Sequence, residues 1–264
     1  MKKSQKTILL MITTLLLSQC WMGQDAPRDN LLDPFRGSSP SVVEQGLENW
    51  WKFNNSYNDE KSNIFANPAG SYNYITDRFN VASSAMSFQA TGNLDLTNVS
   101  KFEIDGTSTT QFTIEVWLLR TNDATTQNLV KKGTAPNCIS DLGYYMNISS
   151  FGGNSNKLEF FYSTATCYIF EIGGASFSLN KNIWYHLFIE FSGISTNLNV
   201  EVFVAEKDKQ QFSTAFSASN LTPFTISPAS NFIIGDDGLV IDDLRYYNRI
   251  LSLEEKLQNH SITQ

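Results

Sequence analysis

Short runs of alternating apolar and polar residues are the feature that most limits how this chain can fold. The segment 112–118 is typical, with Phe112, Ile114, Val116 and Leu118 at every second position. Further alternating or apolar segments follow at 158–162, 187–191, 200–204, 231–235 and 239–247. A period of two points alternate side chains to one face of a strand. Because no helical pattern separates these runs, the spacing predicts an all-β sandwich of antiparallel sheets.

One helix is predicted, close to the C-terminus. Ser252 and Glu255 stand three residues apart in Ser-Leu-Glu-Glu, the pattern of a capping box. In this arrangement the serine hydroxyl accepts from an amide of the first turn, and the glutamate reaches back to the cap amide. We therefore expect a short helix from about 253 to 258.

Composition excludes several classes of protein. The 264 residues are 41% hydrophobic, which is enough for a packed core and argues against wholesale disorder. A net charge of −7 lacks the basic field that attracts nucleic acid, so we expect no nucleic-acid partner. Only two histidines and three cysteines are present, which leaves little for a zinc site.

The N-terminus has the pattern of an export signal. Three lysines precede the uncharged segment 8–17, which at about 1.5 Å per residue is too short to span a bilayer as a helix. We assign residues 1–19 to a signal peptide. No other stretch approaches 18 apolar residues, so no membrane helix is expected in the exported protein.

The signal ends in Leu17-Ser18-Gln19-Cys20, which resembles a bacterial lipobox. Gln19 departs from the small residue usual before the acylated cysteine. We expect lipidation at Cys20, anchoring in a bacterial outer membrane or at the cell surface, and a flexible tether over 20–46 that contains three prolines. Ordinary secretion, with cleavage near Cys20 and a periplasmic or secreted product, is the alternative.

Lipidation at Cys20 would leave Cys138 and Cys167 as an even pair. Exported compartments allow thiols to oxidise, so we predict a disulfide between them. Two free thiols are the alternative interpretation.

Several segments, taken in order, resemble the LamG-like jelly roll of the concanavalin A-like lectin/glucanase superfamily. They are Leu47-Glu-Asn-Trp-Trp-Lys-Phe53, the strand 112–117, Trp184-Tyr-His-Leu187, and Ile241-Asp-Asp-Leu-Arg-Tyr-Tyr-Asn-Arg249 followed by the short helix. The resemblance implies a two-sheet jelly roll over 47–264. The chain departs from the family at 205–209, where a turn that often contains glycine has none, and the geometry of that turn stays open.

The superfamily includes glucanases, so the resemblance raises the question of hydrolysis. Retaining hydrolysis needs two carboxylates about 5–5.5 Å apart, and related glucanases carry them on one strand as Glu-x-Asp-x-Glu or Glu-x-Asp-x-x-Glu. The nearest match is Glu103-Ile-Asp105, which lacks the second glutamate at either spacing. We therefore expect no catalytic residues, and a loop at this segment.

The resemblance also implies one structural Ca²⁺. Its side-chain ligand would be Asp242, joined by carbonyls from near Phe53 and Gly92. The alternative is that Asp242 only accepts hydrogen bonds from backbone amides. Three further aspartates lie nearby in the sequence and either add negative charge to the site or are solvated side chains, namely Asp236, Asp237 and Asp243. A second candidate for the calcium site is the polar loop that contains Asn54, Asn55, Asn58 and Asp59.

Neither histidine is predicted to be catalytic. His186 lies in a strand among aromatic residues, which is typical of a structural histidine. His260 lies near the C-terminus and is expected to be exposed.

These observations favour a non-catalytic binding module for a carbohydrate or for a host or matrix protein. The alternatives are a structural envelope lipoprotein and a glycoside hydrolase of the superfamily. Loops rich in Asn, Ser and Thr could bind a glycan, with aromatic platforms at Tyr72, Tyr74, Phe151 or Tyr168. Because these aromatic residues also suit core packing, the sequence assigns no ligand-binding residues.

Overall fold

Over the residues that it describes, this computed structural model contains thirteen antiparallel strands and one helix. It describes residues 41–62, 66–96, 102, 104, 110–123, 126–133, 143–149, 156–163, 168–171, 177–194, 197–221 and 231–262. The strands are β1 (Leu47–Trp51), β2 (Ala66–Ile75), β3 (Ala85–Leu96), β4 (Thr110–Arg120), β5 (Thr126–Lys132), β6 (Tyr144–Ser149), β7 (Lys157–Ser163), β8 (Tyr168–Glu171), β9 (Trp184–Ile194), β10 (Asn197–Glu206), β11 (Ser213–Leu221), β12 (Phe232–Ile234) and β13 (Leu239–Tyr247). The helix α1 covers Leu253–His260.

The strands form one hydrogen-bonded sheet that folds over on itself. Its order is β11-β10-β9-β4-β13-β3-β12-β5-β6-β7-β8, with β1 on β13 and β2 on β3. Side chains from opposite ends of this order meet in the core. Phe160 of β7 lies 6.1 Å from Phe191 of β9 and 5.9 Å from Phe216 of β11, measured between ring centroids. The predicted two-layer jelly roll is thereby confirmed.

Strand β3 carries the chain between the two layers. Its first half pairs with β13 at Met86 and Ser87, whereas its last residues, Leu94–Leu96, pair with β12. Gly92 allows the strand to stay close to β2, because a Cβ atom there would lie 2.1 Å from the carbonyl oxygen of Ser71. A side chain at Gly92 would therefore push the two strands apart.

The alternating pattern places the core where the sequence predicts it. Ile114, Val116 and Leu118 share one face of β4 and are buried between the layers. Ile114 and Val116 lie in register with Ile189 and Leu187 of β9. Burying side chains of this size contributes about 1.5–3 kcal/mol each. The other face of these strands is also covered, by α1 and by the chain around Val43.

Helix α1 begins where the capping box predicts it. The Ser252 hydroxyl accepts from the Glu255 amide at 3.3 Å, and Glu255 accepts from the Ser252 amide at 2.8 Å. The helix continues to His260, two residues past the predicted end. Val43, which the sequence places in the tether, is buried and donates its amide to Asn259 at 2.9 Å, so the folded unit begins before residue 47.

Candidate functional site

A surface cleft lies beside the β10–β11 hairpin. Its volume is about 540 Å³. The lining residues are Phe177, Val204, Ala205, Glu206, Asp208, Lys209, Gln210, Gln211 and Ser213. These residues define what we call the cleft, which combines one aromatic ring with carboxylate, amide, hydroxyl and ammonium groups.

The hairpin turn that carries most of the cleft closes without glycine. The Lys209 amide donates to the Glu206 carbonyl at 2.9 Å, and the Lys207 amide donates to the Trp184 carbonyl at 2.9 Å. Phe212, at the end of the turn, packs edge-on against Phe188 of β9 and His260 of α1, with centroid distances of 5.3 and 5.4 Å. The turn is therefore fixed to the sheet and to the helix.

The apolar part of the cleft is also held in place. Val204 and Ala205 are buried, and the half-buried Phe177 meets Tyr185 edge-to-face at 5.6 Å. The Tyr185 hydroxyl oxygen accepts from the Asn180 amide at 3.1 Å, and burial raises the pKa of Tyr185. Phe177 is thus a positioned ring rather than a free side chain.

The polar side chains of the cleft are available to a ligand. Glu206, Asp208, Gln210 and Gln211 make no side-chain hydrogen bond or ion pair with the other residues that the structure describes. Asp208, Gln210 and Gln211 are exposed. Unused donors and acceptors beside a fixed aromatic ring are the arrangement that small polar ligands need.

A second polar cluster lies between the sheet and α1, and is buried. We call it the charged layer, and it comprises Arg78, Glu115, His186, Asp242, Asp243, Arg245, Asn259 and His260. Arg245 pairs with Glu115 and, at 3.2 Å, with Asp243; Arg78 pairs with Asp242 and, at 2.6 Å, with Asp243. Its burial leaves no route for a ligand, so we assign it to stability.

Three carboxylates share two guanidinium groups in this layer. Burial, the nearby Asp243 carboxylate and the nearby Asp77 raise the pKa of Asp242 to about 8, although Arg78 opposes the shift. Burial opposes ionisation of Glu115 and Asp243 as well, but Arg245 together with the other hydrogen-bonding and charged partners lowers the pKa of both carboxyl groups. A proton on Asp242 would balance the charges of the layer at neutral pH.

His186 and His260 belong to the charged layer. Their Nδ1 atoms lie 3.2 Å apart, and His186 Nε2 lies 3.0 Å from Glu115 Oε1. Trp117 stacks on both rings, at 4.2 and 5.2 Å. The structural role predicted for His186 fits this packing, whereas the predicted exposure of His260 is wrong, because α1 turns back and buries its ring at 7% exposure.

The environment of Asp242 fits a calcium ion poorly. The register of β1 on β13, extended from Trp51 opposite Leu244, does bring Phe53 level with Asp242. Ile241, the neighbour of Asp242, pairs with Met86 of β3. Gly92 lies six residues further along β3, so its distance from Met86 is on the order of 20 Å. The carboxylate also faces Arg78, a competing cation. Calcium at Asp242 stays an untested prediction that these contacts disfavour.

The other acidic candidates take part in local hydrogen bonds. Asp59 accepts from the Trp50 amide at 2.8 Å, and Asp236 accepts from the Asn128 amide at 2.9 Å. Asp237 accepts from the Ala90 amide at 2.8 Å. Over the part of the chain that the structure describes, no three His, Cys, Asp or Glu side chains are grouped to hold a metal ion.

The predicted aromatic platforms have different outcomes. Tyr72 and Tyr74 are half-buried, meet edge-to-face at 6.1 Å and pack against the core. Tyr168 lies in β8.

Phe151 lies outside the described residues, as do Cys20, Cys138, Cys167, Glu103 and Asp105. The lipid anchor, the disulfide and the glucanase-like segment therefore stay predictions. Within the described ranges, no helix is long and apolar enough to cross a membrane.

Comparison with known proteins establishes the family. The sequence profile of the concanavalin A-like lectin/glucanases superfamily matches residues 88–255, more than half of the chain. The chain belongs to this superfamily. The resemblance drawn from the sequence is thereby confirmed for the superfamily and its fold. No curated protein matches the sequence.

Solved structures share the superfamily fold at low identity. The botulinum neurotoxin serotype D binding domain aligns with a TM-score of 0.55 and 13% identity, covering 81% of this chain and 50% of that chain. The ligand binding domain of the same serotype, in complex with N-acetylneuraminic acid, aligns with a TM-score of 0.54 and 12% identity, covering 81% of this chain and 50% of that chain. Trypanosoma rangeli sialidase in complex with sialic acid aligns with a TM-score of 0.52 and 14% identity, covering 84% of this chain and 33% of that chain.

The superfamily domain thus spans about half the length of the neurotoxin chains and about a third of the sialidase chain. At these identities the likeness shows the fold alone.

Proposed function

We propose that this superfamily domain is a non-catalytic carbohydrate-binding module and that the cleft holds the glycan. The observation that carries the proposal is the pairing of a fixed ring, Phe177, with four polar side chains that have no partner among the described residues. Sugars present hydroxyl groups at their edges and C–H groups on their faces. A site that combines an aromatic surface with carboxylates and amides complements both.

The superfamily and its neighbours support this proposal without deciding it. Two of the similar structures are described as complexes with sialic acids, so glycan binding occurs in chains that share the fold. Because one fold hosts many functions, the argument depends on the cleft itself. A host or matrix protein as ligand, and a structural role without ligand, are the other outcomes of the same binding test.

Removing the aromatic ring should weaken glycan binding about tenfold. We expect Phe177→Ala to have this effect because it removes ring contact worth about 1.4 kcal/mol. Gln210→Ala should cost less, about 1 kcal/mol for one hydrogen bond. The measurement is a glycan array followed by calorimetry with the strongest ligand, and Tyr57→Ala, at an exposed ring outside the cleft, is the matched control.

Wild-type affinity in F177A would refute the cleft as the binding site, and an array without ligands would refute carbohydrate binding. The glycan recovered after calorimetry should be intact, since we propose no catalysis. Hydrolysed product would favour the alternative of a glycoside hydrolase, which needs a suitably spaced carboxylate pair.

We also propose that the domain is exported and anchored through lipid on Cys20. The support is the sequence alone, namely the short uncharged segment 8–17 and the cysteine that follows it.

A further inference from the structure

The cleft carries more negative than positive charge. Glu206 and Asp208 bring two carboxylates, and Lys209 brings the only ammonium group among the described lining residues. Lys207 is in the same turn but does not line the cleft. The chain as a whole adds to this field, with a net charge of −7.

Carboxylates also restrict the hydrogen bonds that the cleft can make. An ionised carboxylate only accepts hydrogen bonds, and its two oxygens match two neighbouring hydroxyl groups of a sugar. A carboxylate on the ligand also only accepts hydrogen bonds, so it could form none with Glu206 or Asp208. The like negative charges would also repel each other. Gln210, Gln211 and Ser213 can donate, but they bring no charge to offset the repulsion.

We infer that the cleft selects uncharged glycans with adjacent hydroxyl groups and disfavours sialylated ones. The inference rests on the proposed carbohydrate-binding function and makes its ligand class specific. It separates this domain from the similar structures described as complexes with sialic acids.

Electrostatics sets the size of the expected preference. One excess negative charge about 6 Å from a ligand carboxylate, at a dielectric constant between about 40 and 80, weakens binding about threefold to tenfold. Because the cleft is open to solvent, added salt should screen this penalty.

The experiment compares matched glycans on the full domain. An array should carry pairs that end in N-acetyllactosamine with and without an α2,3-linked sialic acid, and calorimetry should follow on the strongest pair at low and high salt. We expect the uncharged member to bind about threefold to tenfold more tightly at low salt, with a smaller ratio at high salt.

Variants that replace the carboxylates with neutral amides test whether negative charge causes the preference for uncharged glycans. In the double variant Glu206→Gln/Asp208→Asn, where Lys209 is left as the charged group of the cleft, the preference for the uncharged member should be lost or reversed, whereas Glu201→Gln, at an exposed carboxylate of the same strand outside the cleft, should leave the ratio unchanged. The ratio is informative even where a variant weakens both ligands. Equal or tighter binding of the sialylated member to the wild-type domain overturns the inference alone. So does a ratio of affinities that the double variant leaves unchanged. Binding to no glycan overturns the proposed function as well.

Discussion

Replacing Arg245 by methionine is expected to lower the free energy of unfolding by about 3–5 kcal/mol. Arg245 is 1% exposed, pairs with Glu115 and Asp243, and lies 4.8 Å from the centre of the Trp50 ring. Methionine fills much of the same space but carries no charge. The substitution therefore leaves a buried carboxylate, that of Glu115, without its cation, and this is the costly outcome for a buried ion pair.

Urea denaturation measures this change, with an unchanged dependence on denaturant showing that the unfolded state is the same. The control is Lys181→Met, because Lys181 pairs with Asp123 at the surface and such pairs contribute about 0–1 kcal/mol. Adding Glu115→Gln to Arg245→Met should recover part of the loss, since the orphaned charge is then removed. A loss in R245M no larger than in K181M would contradict the structural role given to the charged layer.

Acid should destabilise the domain through His186. Its ring is fully buried, and burial lowers its pKa from 6.5 to about 4 despite the opposing Glu115 carboxylate. The unfolded chain therefore takes up a proton near pH 6.5, whereas the folded chain resists it until about pH 4. The contribution of His186 to stability is complete above pH 6.5 and is lost as the pH falls towards 4, by about 3 kcal/mol in all.

Other members of the charged layer titrate as well, so the test must compare the pH dependence of stability in two proteins that differ only at His186. The pKa of His260 is also lowered by burial and acts in the same direction. Asp242 acts in the opposite direction, because its raised pKa, about 8, makes the folded state more stable as the pH falls from 8 towards 4. Comparing wild type with His186→Gln removes these shared contributions.

Between about pH 7 and about pH 4.5, wild type should lose about 2–3 kcal/mol more than H186Q in urea denaturation. Glutamine keeps a donor for Glu115 but cannot be protonated. Equal losses in the two proteins would mean that His186 is not held neutral in the folded state.

Most of the fold could be predicted because alternation and capping are local signals. The period of two in β4, β9 and β10 identifies the strands and their core faces, and Ser252 with Glu255 identifies the helix. Alternation also shows that Glu115, His186 and Arg245 point away from that core. It does not show that α1 covers them, so the sequence predicts neither the charged layer nor the burial of His260.

The cleft could be predicted only in part. The glycine-free segment 205–209 stands out in the sequence as a departure from the family, and the structure places the cleft there. Phe177 joins it from a distant part of the sequence, through contact with Tyr185, and no local pattern signals this contact. A binding site assembled from two such segments needs the tertiary structure before its members can be named.

The most direct test of the central claim is an NMR titration of the labelled domain with the tightest uncharged glycan. If the cleft is the binding site, the backbone amide signals that move should centre on residues 204–213 and Phe177. Signals that move around Tyr57, Tyr72 and Tyr74 instead, with those of the β10–β11 turn unchanged, would contradict the account.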